Sequence, residues 1–287
     1  MKKTLRLHYP QWQGGMNPNY VFGSELLAAI APPSKTAEEV TVPVAKDFAS
    51  ASQPVGGIDK GAALLKQARA AKAILYEKQP DKVIVFGGDC AVTQVPFDYL
   101  SGKYNDKIGL LWLDAHPDCS TTKDTAHLHE MVLGNLLNNS PEAELTSVSY
   151  PYAPQKVLLA GIIEERLRPM DMACKELALA MASPEELAAG SQKALSWIER
   201  EGIQFVAIHW DLDVLSPADF RSIYPAEPYT DPSLFPAAVG RMKLKEIVRL
   251  LTDVSEKAEI VGMSITEHLP WDAFRLRDAL SQIHIFK

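Results

Sequence analysis

Five short runs of apolar residues recur along the chain, and none alternates strictly between apolar and polar positions. A strand that faces solvent on one side alternates, whereas a strand covered on both faces reads as a continuous apolar run. The runs therefore predict a mostly parallel sheet with both faces covered. They span residues 83–86, 108–113, 156–160, 205–209 and 260–265.

Helical segments occupy the stretches between these runs. Residues 61–78 and 243–257 carry apolar side chains at helical spacing. Residues 183–200 open with a helix start signal, because Ser183 suits the N-cap and Pro184 the first turn. We expect one uninterrupted helix over this segment. Strands that alternate with helices predict βαβ units and an α/β fold class.

The chain has 287 residues, which is long for one domain but within the range of α/β folds. Because no repeat, linker or low-complexity segment divides it, we expect a single domain over residues 1–287. One long stretch, residues 216–236, is rich in proline and has no clear periodicity. Loops of that length are usually functional or disordered.

Composition and charge exclude several classes of protein. The net charge is −7 and there is no basic tract, so we expect no nucleic-acid partner. The three cysteines, Cys90, Cys119 and Cys174, are too few for a disulfide framework and fit a reducing compartment. No apolar run reaches the roughly 20 residues that a membrane helix needs, and no signal segment is evident. We expect a cytoplasmic protein that has no membrane partner.

Ligand-type side chains follow two of the apolar runs. Asp114, His116 and Asp118 lie at i, i+2 and i+4 after the second run, and Asp211 and Asp213 follow the fourth. Alternate side chains of an extended segment point to one side, and parallel strands bind ligands at their carboxyl ends. Either motif alone is also typical of a loop turn or a cap. Together they favour one or two divalent cations, since like charges at close range repel strongly.

The order of these motifs resembles the ureohydrolase family, which includes arginase, agmatinase and formiminoglutamase. Asp-Ala-His-Pro-Asp at 114–118 precedes Asp-Leu-Asp-Val-Leu-Ser-Pro at 211–217. Gly-Gly-Asp-Cys at 87–90 resembles the Gly-Gly-Asp-His of the family, and His-Glu-Met-Val at 129–132 resembles its His-Gly-Met-Pro. Glu267, shortly before a proline, completes a series that runs in family order over residues 82–270.

The resemblance implies a three-layer α/β/α sandwich of the arginase/deacetylase type, a homo-oligomer and two Mn²⁺ ions. Asp114 and Asp211 resemble the carboxylates that bridge both ions. A hydroxide between the ions would attack the planar carbon of a small guanidino or amidino compound and cleave a C–N bond. Two further ligands complete each ion, Cys90 and Asp118 for one and His116 and Asp213 for the other.

The resemblance also implies roles around the ions. Asp118 is counted among the catalytic residues as well as the ligands. His129 resembles the histidine that carries a proton to the leaving amine, with His127 as an alternative if the loop shifts. Glu267 resembles the acid that pairs with the guanidinium group, because a carboxylate can hold that planar cation with two hydrogen bonds.

Cys90 departs from the family pattern, because it stands where the family has a histidine. A thiolate ligand would favour Zn²⁺ or Fe²⁺ over Mn²⁺ at that ion. The alternative is that Cys90 is a buried thiol that binds no metal. The segments 119–122, 129–132 and 224–228 also differ from arginase patterns, so arginine itself is not implied as the substrate.

Two further functions stay open at this point. One is hydrolysis of an N-hydroxyguanidine or an amide by an enzyme of the same fold. The other is a metal-poor relative that serves as a binding or regulatory subunit. The retention of all four aspartates and of His116 speaks against the second. The histidine pair of single-metal deacetylases is not evident in the sequence.

Overall fold

Eight parallel strands form one sheet in the computed structural model, which describes residues 2–48 and 52–286. The strand order is β2-β1-β3-β8-β7-β4-β5-β6. The predicted parallel sheet is confirmed. The strands are β1 (Thr4–Tyr9), β2 (Glu38–Thr41), β3 (Lys82–Gly87), β4 (Ile108–Leu113), β5 (Val157–Ala160), β6 (Ala180–Ala182), β7 (Phe205–Asp211) and β8 (Glu259–Thr266).

Helices cover both faces of the sheet and give the predicted three layers. Buried side chains of α2 and α3 join one core cluster, and those of α6, α7 and α8 join another. The helices within the described ranges are α1 (Asn19–Ile30), α2 (Gly61–Lys78), α3 (Gln94–Tyr104), α4 (Val132–Leu136), α5 (Ala173–Glu176), α6 (Pro184–Ala189), α7 (Gln192–Arg200), α8 (Leu244–Lys257) and α9 (Trp271–Gln282).

Strand β4 illustrates why the central strands are apolar throughout. Leu110 and Trp112 point into the first cluster, while Leu111 and Leu113 point into the second. All four are fully buried. Burial of each such side chain contributes about 1.5–3 kcal/mol, so a polar residue at any of these positions would be costly.

The expectation of one helix over residues 183–200 is wrong. The capping box at Ser183 forms as expected, with Ser183 and Glu186 bonded to each other's backbone N–H. The first helix then ends, and Gly190 adopts an extended backbone with φ 170° and ψ 179°. A second helix, α7, begins at Gln192. Gly190 interrupts the segment because glycine loses more backbone entropy in a helix than other residues do.

The irregular stretch over residues 216–236 contains only short 3₁₀ turns, Tyr224–Ala226 and Pro232–Leu234. Its length and proline content thus indicate a loop, as expected. None of the helices in the described part of the chain has both the length and the apolar character needed to cross a membrane. The assignment of residues 1–287 to a single domain stays a prediction.

Candidate metal centre and active-site cleft

Four adjacent central strands, β3, β8, β7 and β4, end at the same edge of the sheet, and each delivers a ligand-type side chain there. Asp211 is the last residue of β7, and Asp114 and Glu267 directly follow β4 and β8. Cys90 lies three residues beyond β3. The chain reverses its direction of winding between these strands, which is where open α/β sheets bind ligands.

The end of β4 holds Asp114 in place by hydrogen bonds. Its carboxylate accepts from the indole Nε1 of Trp112 at 3.1 Å and from the backbone N–H of His116 at 2.7 Å. The imidazole Nδ1 of His116 lies 3.5 Å from the same carboxylate. Asp118, further along, is buried and has a left-handed φ of 44°. Such conformations cost of order 1–3 kcal/mol in non-glycine residues and cluster at functional sites.

The end of β7 brings a second pair of carboxylates to the first. The backbone N–H of Asp213 donates to Asp211 Oδ1 at 2.8 Å, which closes the short turn Leu212–Val214. One carboxylate oxygen of Asp213 then lies 3.2 Å from His116 Nδ1. The two sequence motifs therefore converge, as their positions at strand ends predict.

Cys90 reaches the cluster because the chain after β3 passes close to another backbone segment. A Cβ on Gly88 would lie 1.6 Å from the carbonyl oxygen of Gln11, so only glycine fits there. Asp89 then caps the turn Cys90–Thr93 by accepting from the N–H of Ala91. The thiol of Cys90 is buried and donates to Asp211 Oδ2 at 2.8 Å.

Three polar atoms in this region are buried without a hydrogen-bond partner among the described residues: Asp118 Oδ2, Asp213 Oδ1 and His209 Nε2. Buried polar atoms are nearly always bonded in folded proteins. Their donor atoms also lie within groups whose members are no more than 4.8 Å apart, which is a spacing that a cation can bridge. The donor set therefore fits divalent metal. The groups are Cys90, Asp114, Asp118 and His209; Cys90, Asp211 and Glu267; and Asp114, His116 and Asp213.

Charge repulsion in this cluster perturbs its acids in the expected direction. Burial, followed by the charge of neighbouring carboxylates, raises the pKa of Asp118 and of Asp211 well above the usual range. Burial and the same carboxylates also raise the pKa of the Cys90 thiol. Burial opposes ionisation of Asp114 too, but His116 and His209 outweigh it and lower its pKa. A divalent cation would favour the charged form of each acid.

Glu267 lies beside the cluster, and its burial and backbone hydrogen bond restrict its position. It is 6% exposed, it has a left-handed φ of 60°, and its backbone N–H donates to the carbonyl of Gly88. The hydroxyl of Tyr20 on α1 opposes the rise in the pKa of this carboxylate. Burial, then the charge of Asp213, raises the pKa of Glu267 to about 8.

His129 and His127 both line the same cleft. His129 Nδ1 lies 2.9 Å from the carbonyl oxygen of Gly14, which can only accept, so this nitrogen carries the proton. Burial lowers the pKa of His129 to about 4, although the charge of Glu130 opposes the shift. His127 is more exposed, at 43% of its side chain. The assignment of the proton carrier to His129 rather than His127 stays a prediction.

The cluster forms the floor of a cleft of about 1040 Å³. Among the described residues that line it, Arg168 is the only lysine or arginine, and it is paired with Asp171 at 2.9 Å and with Glu130 at 3.2 Å. The unpaired charge of the lining is therefore negative, which suits a cationic ligand. The carboxylates of the lining are Asp114, Asp118, Glu130, Asp211, Asp213, Glu227, Asp231 and Glu267.

For four residues of the site, the sequence predicted no role. His209 lies two residues before Asp211 on the same strand, so strand alternation alone could have placed both on one face. Asp89 belongs to the Gly-Gly-Asp-Cys motif, and it also accepts from the N–H of Gly15, next to the residue that anchors His129. Thr93 follows that motif by three positions. No local signal marks Tyr20, because α1 approaches Glu267 only in the folded chain.

The sequence model of the arginase family matches residues 35–274. Arginase from Entamoeba histolytica, solved in complex with L-ornithine, is 14% identical, with a TM-score of 0.75 over 94% of this chain and 92% of that one.

Two further solved structures are similar. For Bacillus caldovelox arginase the identity is 17% and the TM-score 0.74, with 94% and 92% of the two chains covered. For proclavaminate amidino hydrolase from Streptomyces clavuligerus they are 15% and 0.62, with 94% and 84% covered. A comparison with curated protein sequences gave no significant match. The identities are low enough that these structures support the shared fold alone.

Proposed function

Because this chain belongs to the arginase family, we propose that it is a metal-dependent hydrolase that cleaves a C–N bond of a small guanidino or amidino compound. One observation supports the proposal most strongly. Aspartates from β4 and β7 converge at the carboxyl edge of the sheet, and two of them keep a buried carboxylate oxygen without a partner in the described structure. An arrangement of this kind is costly unless a cation occupies it.

The proposed ligands are the six that the family resemblance implies. Asp114 and Asp211 would serve both ions. In support, Asp114 belongs to two of the donor groups, and Asp211 accepts from the thiol of Cys90 and from the backbone N–H of Asp213. When bound, divalent ions supply the activation of water, because they lower its pKa toward neutrality. Mn²⁺ suits the carboxylate-rich side, and Zn²⁺ or Fe²⁺ suits the side of the thiol. The remaining ligands are Cys90 and Asp118 at one ion and His116 and Asp213 at the other.

Glu267 and His129 are proposed to act on the substrate. A guanidinium cation beside Glu267 would favour its carboxylate form and lower its raised pKa, so the two would bind as a charged pair. His129 is neutral near pH 7, and its Nδ1–H is engaged by Gly14. Its Nε2 is therefore the atom that would take up a proton and pass it to the leaving nitrogen.

The overall reaction adds water across the C–N bond. The oxygen of water becomes the carbonyl oxygen of a urea or amide product, and its hydrogens leave with the released amine or ammonia. The negative lining of the cleft favours a substrate that carries positive charge. In support, the Entamoeba histolytica relative is solved with L-ornithine, an amine. A cytoplasmic location and a homo-oligomeric state also stay predictions.

A panel of guanidino and amidino compounds tests the proposal. The protein is loaded separately with Mn²⁺, Zn²⁺ and Fe²⁺, and release of urea, ammonia or amine is measured. Asp114→Asn, prepared in parallel, is the control for contaminating activity. We expect at least one compound to react with the wild type and none with the variant. Metal-loaded protein that hydrolyses no compound of the panel would overturn the proposal.

A further inference from the structure

His209 occupies an unusual position for a histidine. It lies on β7, in the middle of the sheet, and is 0% exposed. Its ring stacks on the indole of Trp112, with centroids 3.7 Å apart and planes 17° apart. Its imidazole therefore has no access to water, and every hydrogen-bonding atom of the ring must be satisfied inside the protein.

One ring nitrogen is satisfied. Nδ1 lies 2.9 Å from the hydroxyl of Thr93 and 3.1 Å from that of Ser264. Thr93 donates its single hydroxyl hydrogen to Ser264 at 2.9 Å, so its oxygen is left to accept from His209. Nδ1 is then the protonated nitrogen of the neutral ring, and Nε2 carries a lone pair.

The other ring nitrogen has no hydrogen-bond partner among the described residues. Nε2 lies 3.7 Å from Asp114 Oδ2, too far for a hydrogen bond. His209 belongs to the donor group with Cys90, Asp114 and Asp118, in which each residue has a ligand atom within 4.8 Å of the others. A lone pair directed at a carboxylate is repulsive, unless a cation lies between them.

The spacing fits two ligands of one ion. Zinc lies about 2.0–2.2 Å from nitrogen and oxygen ligands, which at a tetrahedral angle places the two donors about 3.4 Å apart. The observed separation of 3.7 Å is close to this value. Metal-bound histidines also characteristically donate their other N–H to an oxygen, as Nδ1 of His209 does to Thr93.

We propose that His209 Nε2 is a ligand of the metal ion held by Cys90, Asp114 and Asp118. Thr93 and Ser264 are positioning residues that fix the tautomer and the orientation of the ring. The inference deepens the proposed function and rests on it, because it adds a ligand to the same centre. It gives that ion a nitrogen donor beside the sulfur of Cys90, which favours Zn²⁺ or Fe²⁺ over Mn²⁺ there.

Calorimetric titration of the metal-free full chain with Zn²⁺ tests the inference. We expect the wild type to bind two ions. His209→Gln should bind one ion more weakly than the wild type and the other ion equally well. The loss should exceed about 10–100-fold, which is typical when a residue that hydrogen bonds to a metal ligand is removed. Thr93→Val should weaken the same ion by about 10–100-fold. His268→Gln is the matched control, because His268 is also buried and its Nδ1 bonds Gly23, outside the three donor groups.

Each outcome decides between the two proposals. If His209→Gln binds both ions as tightly as the wild type, the inference is overturned and the proposed function stands. If the wild type binds no metal, the proposed function itself fails.

A second measurement uses the unsubstituted protein, so its outcome does not depend on whether a variant folds. In protein with ¹⁵N-labelled histidine and bound ¹¹³Cd²⁺, we expect metal–nitrogen splitting on two imidazoles, those of His116 and His209. Splitting on His116 alone would overturn the inference.

Discussion

Asp114 is the residue whose neutralisation should disturb the centre most. It belongs both to the donor group with Cys90 and Asp118 and to the group with His116 and Asp213. Asp114→Asn keeps the size of the side chain and one acceptor oxygen but removes the charge that both ions would share. We expect it to weaken both ions, whereas Asp118→Asn and Asp213→Asn should each weaken one.

The size of the effect follows from binding linkage. Each ion present at 100 times its Kd stabilises the folded state by about 2.7 kcal/mol, so two ions contribute roughly 5 kcal/mol. At about 2–4 °C per kcal/mol for chains of 150–250 residues, this corresponds to an increase in Tm of roughly 10 °C or more. Asp114→Asn should abolish that increase, and the two single-ion variants should retain about half.

The assay is thermal unfolding of each protein in EDTA and again with excess Mn²⁺ or Zn²⁺. The metal-induced change in Tm is the readout, because the variant also loses the interaction of Asp114 with His116 in the absence of metal. A full metal-induced shift in Asp114→Asn would refute the shared role of Asp114. A complete loss of the shift in Asp118→Asn would refute the division into two ion sites.

Three further predictions follow from the same geometry. Glu267→Gln should lower kcat/KM for a guanidino substrate by about 10–100-fold, because a charged hydrogen bond of about 1.5–3 kcal/mol is lost; unchanged steady-state kinetics would contradict its role. Cys90→Ser should remove the sulfur-to-metal absorption band of the Co²⁺-loaded protein. Cys90→His should raise the affinity of the protein for Mn²⁺. If neither the band nor the affinity changes, Cys90 is a core thiol that binds no metal. The metal-free protein should be less stable at pH 8 than at pH 6.5 in urea unfolding. Burial raises the pKa of Glu267 to about 8, so the folded protein keeps this acid protonated at pH values at which the unfolded chain ionises it. The free energy of unfolding therefore falls as the pH rises toward 8, by at most about 1.4 kcal/mol per pH unit. Equal stability at the two pH values would contradict the burial of that acid.

The central strands could be predicted because both of their faces are buried, which leaves a local record of continuous apolar residues. Strands β1, β2 and β6 left no such record. In β1, Leu5 and Leu7 are buried while Arg6 is only partly covered, so the strand alternates. Strands β2 and β6 are the short edges of the sheet, and their pairing depends on neighbours that are distant in sequence.

The site could likewise be predicted only where its residues follow the apolar runs of the central strands. Five acidic and imidazole side chains directly follow apolar runs, so their position at the sheet edge follows from the fold class. The position of Tyr20 in the same cleft as Glu267 depends on tertiary contacts instead. His209 was overlooked because it lies within an apolar run, where a histidine suggests core packing rather than chemistry.

Anomalous scattering from a crystal grown with Mn²⁺ would locate the proposed ions. We predict two anomalous peaks at the carboxyl edge of the sheet, both within about 2.0–2.3 Å of oxygen atoms of Asp114 and Asp211. Data collected at the zinc edge from a Zn²⁺-soaked crystal should place a peak beside Cys90. The absence of any peak between the ends of β4 and β7, at saturating metal concentrations, would contradict the proposed metal centre.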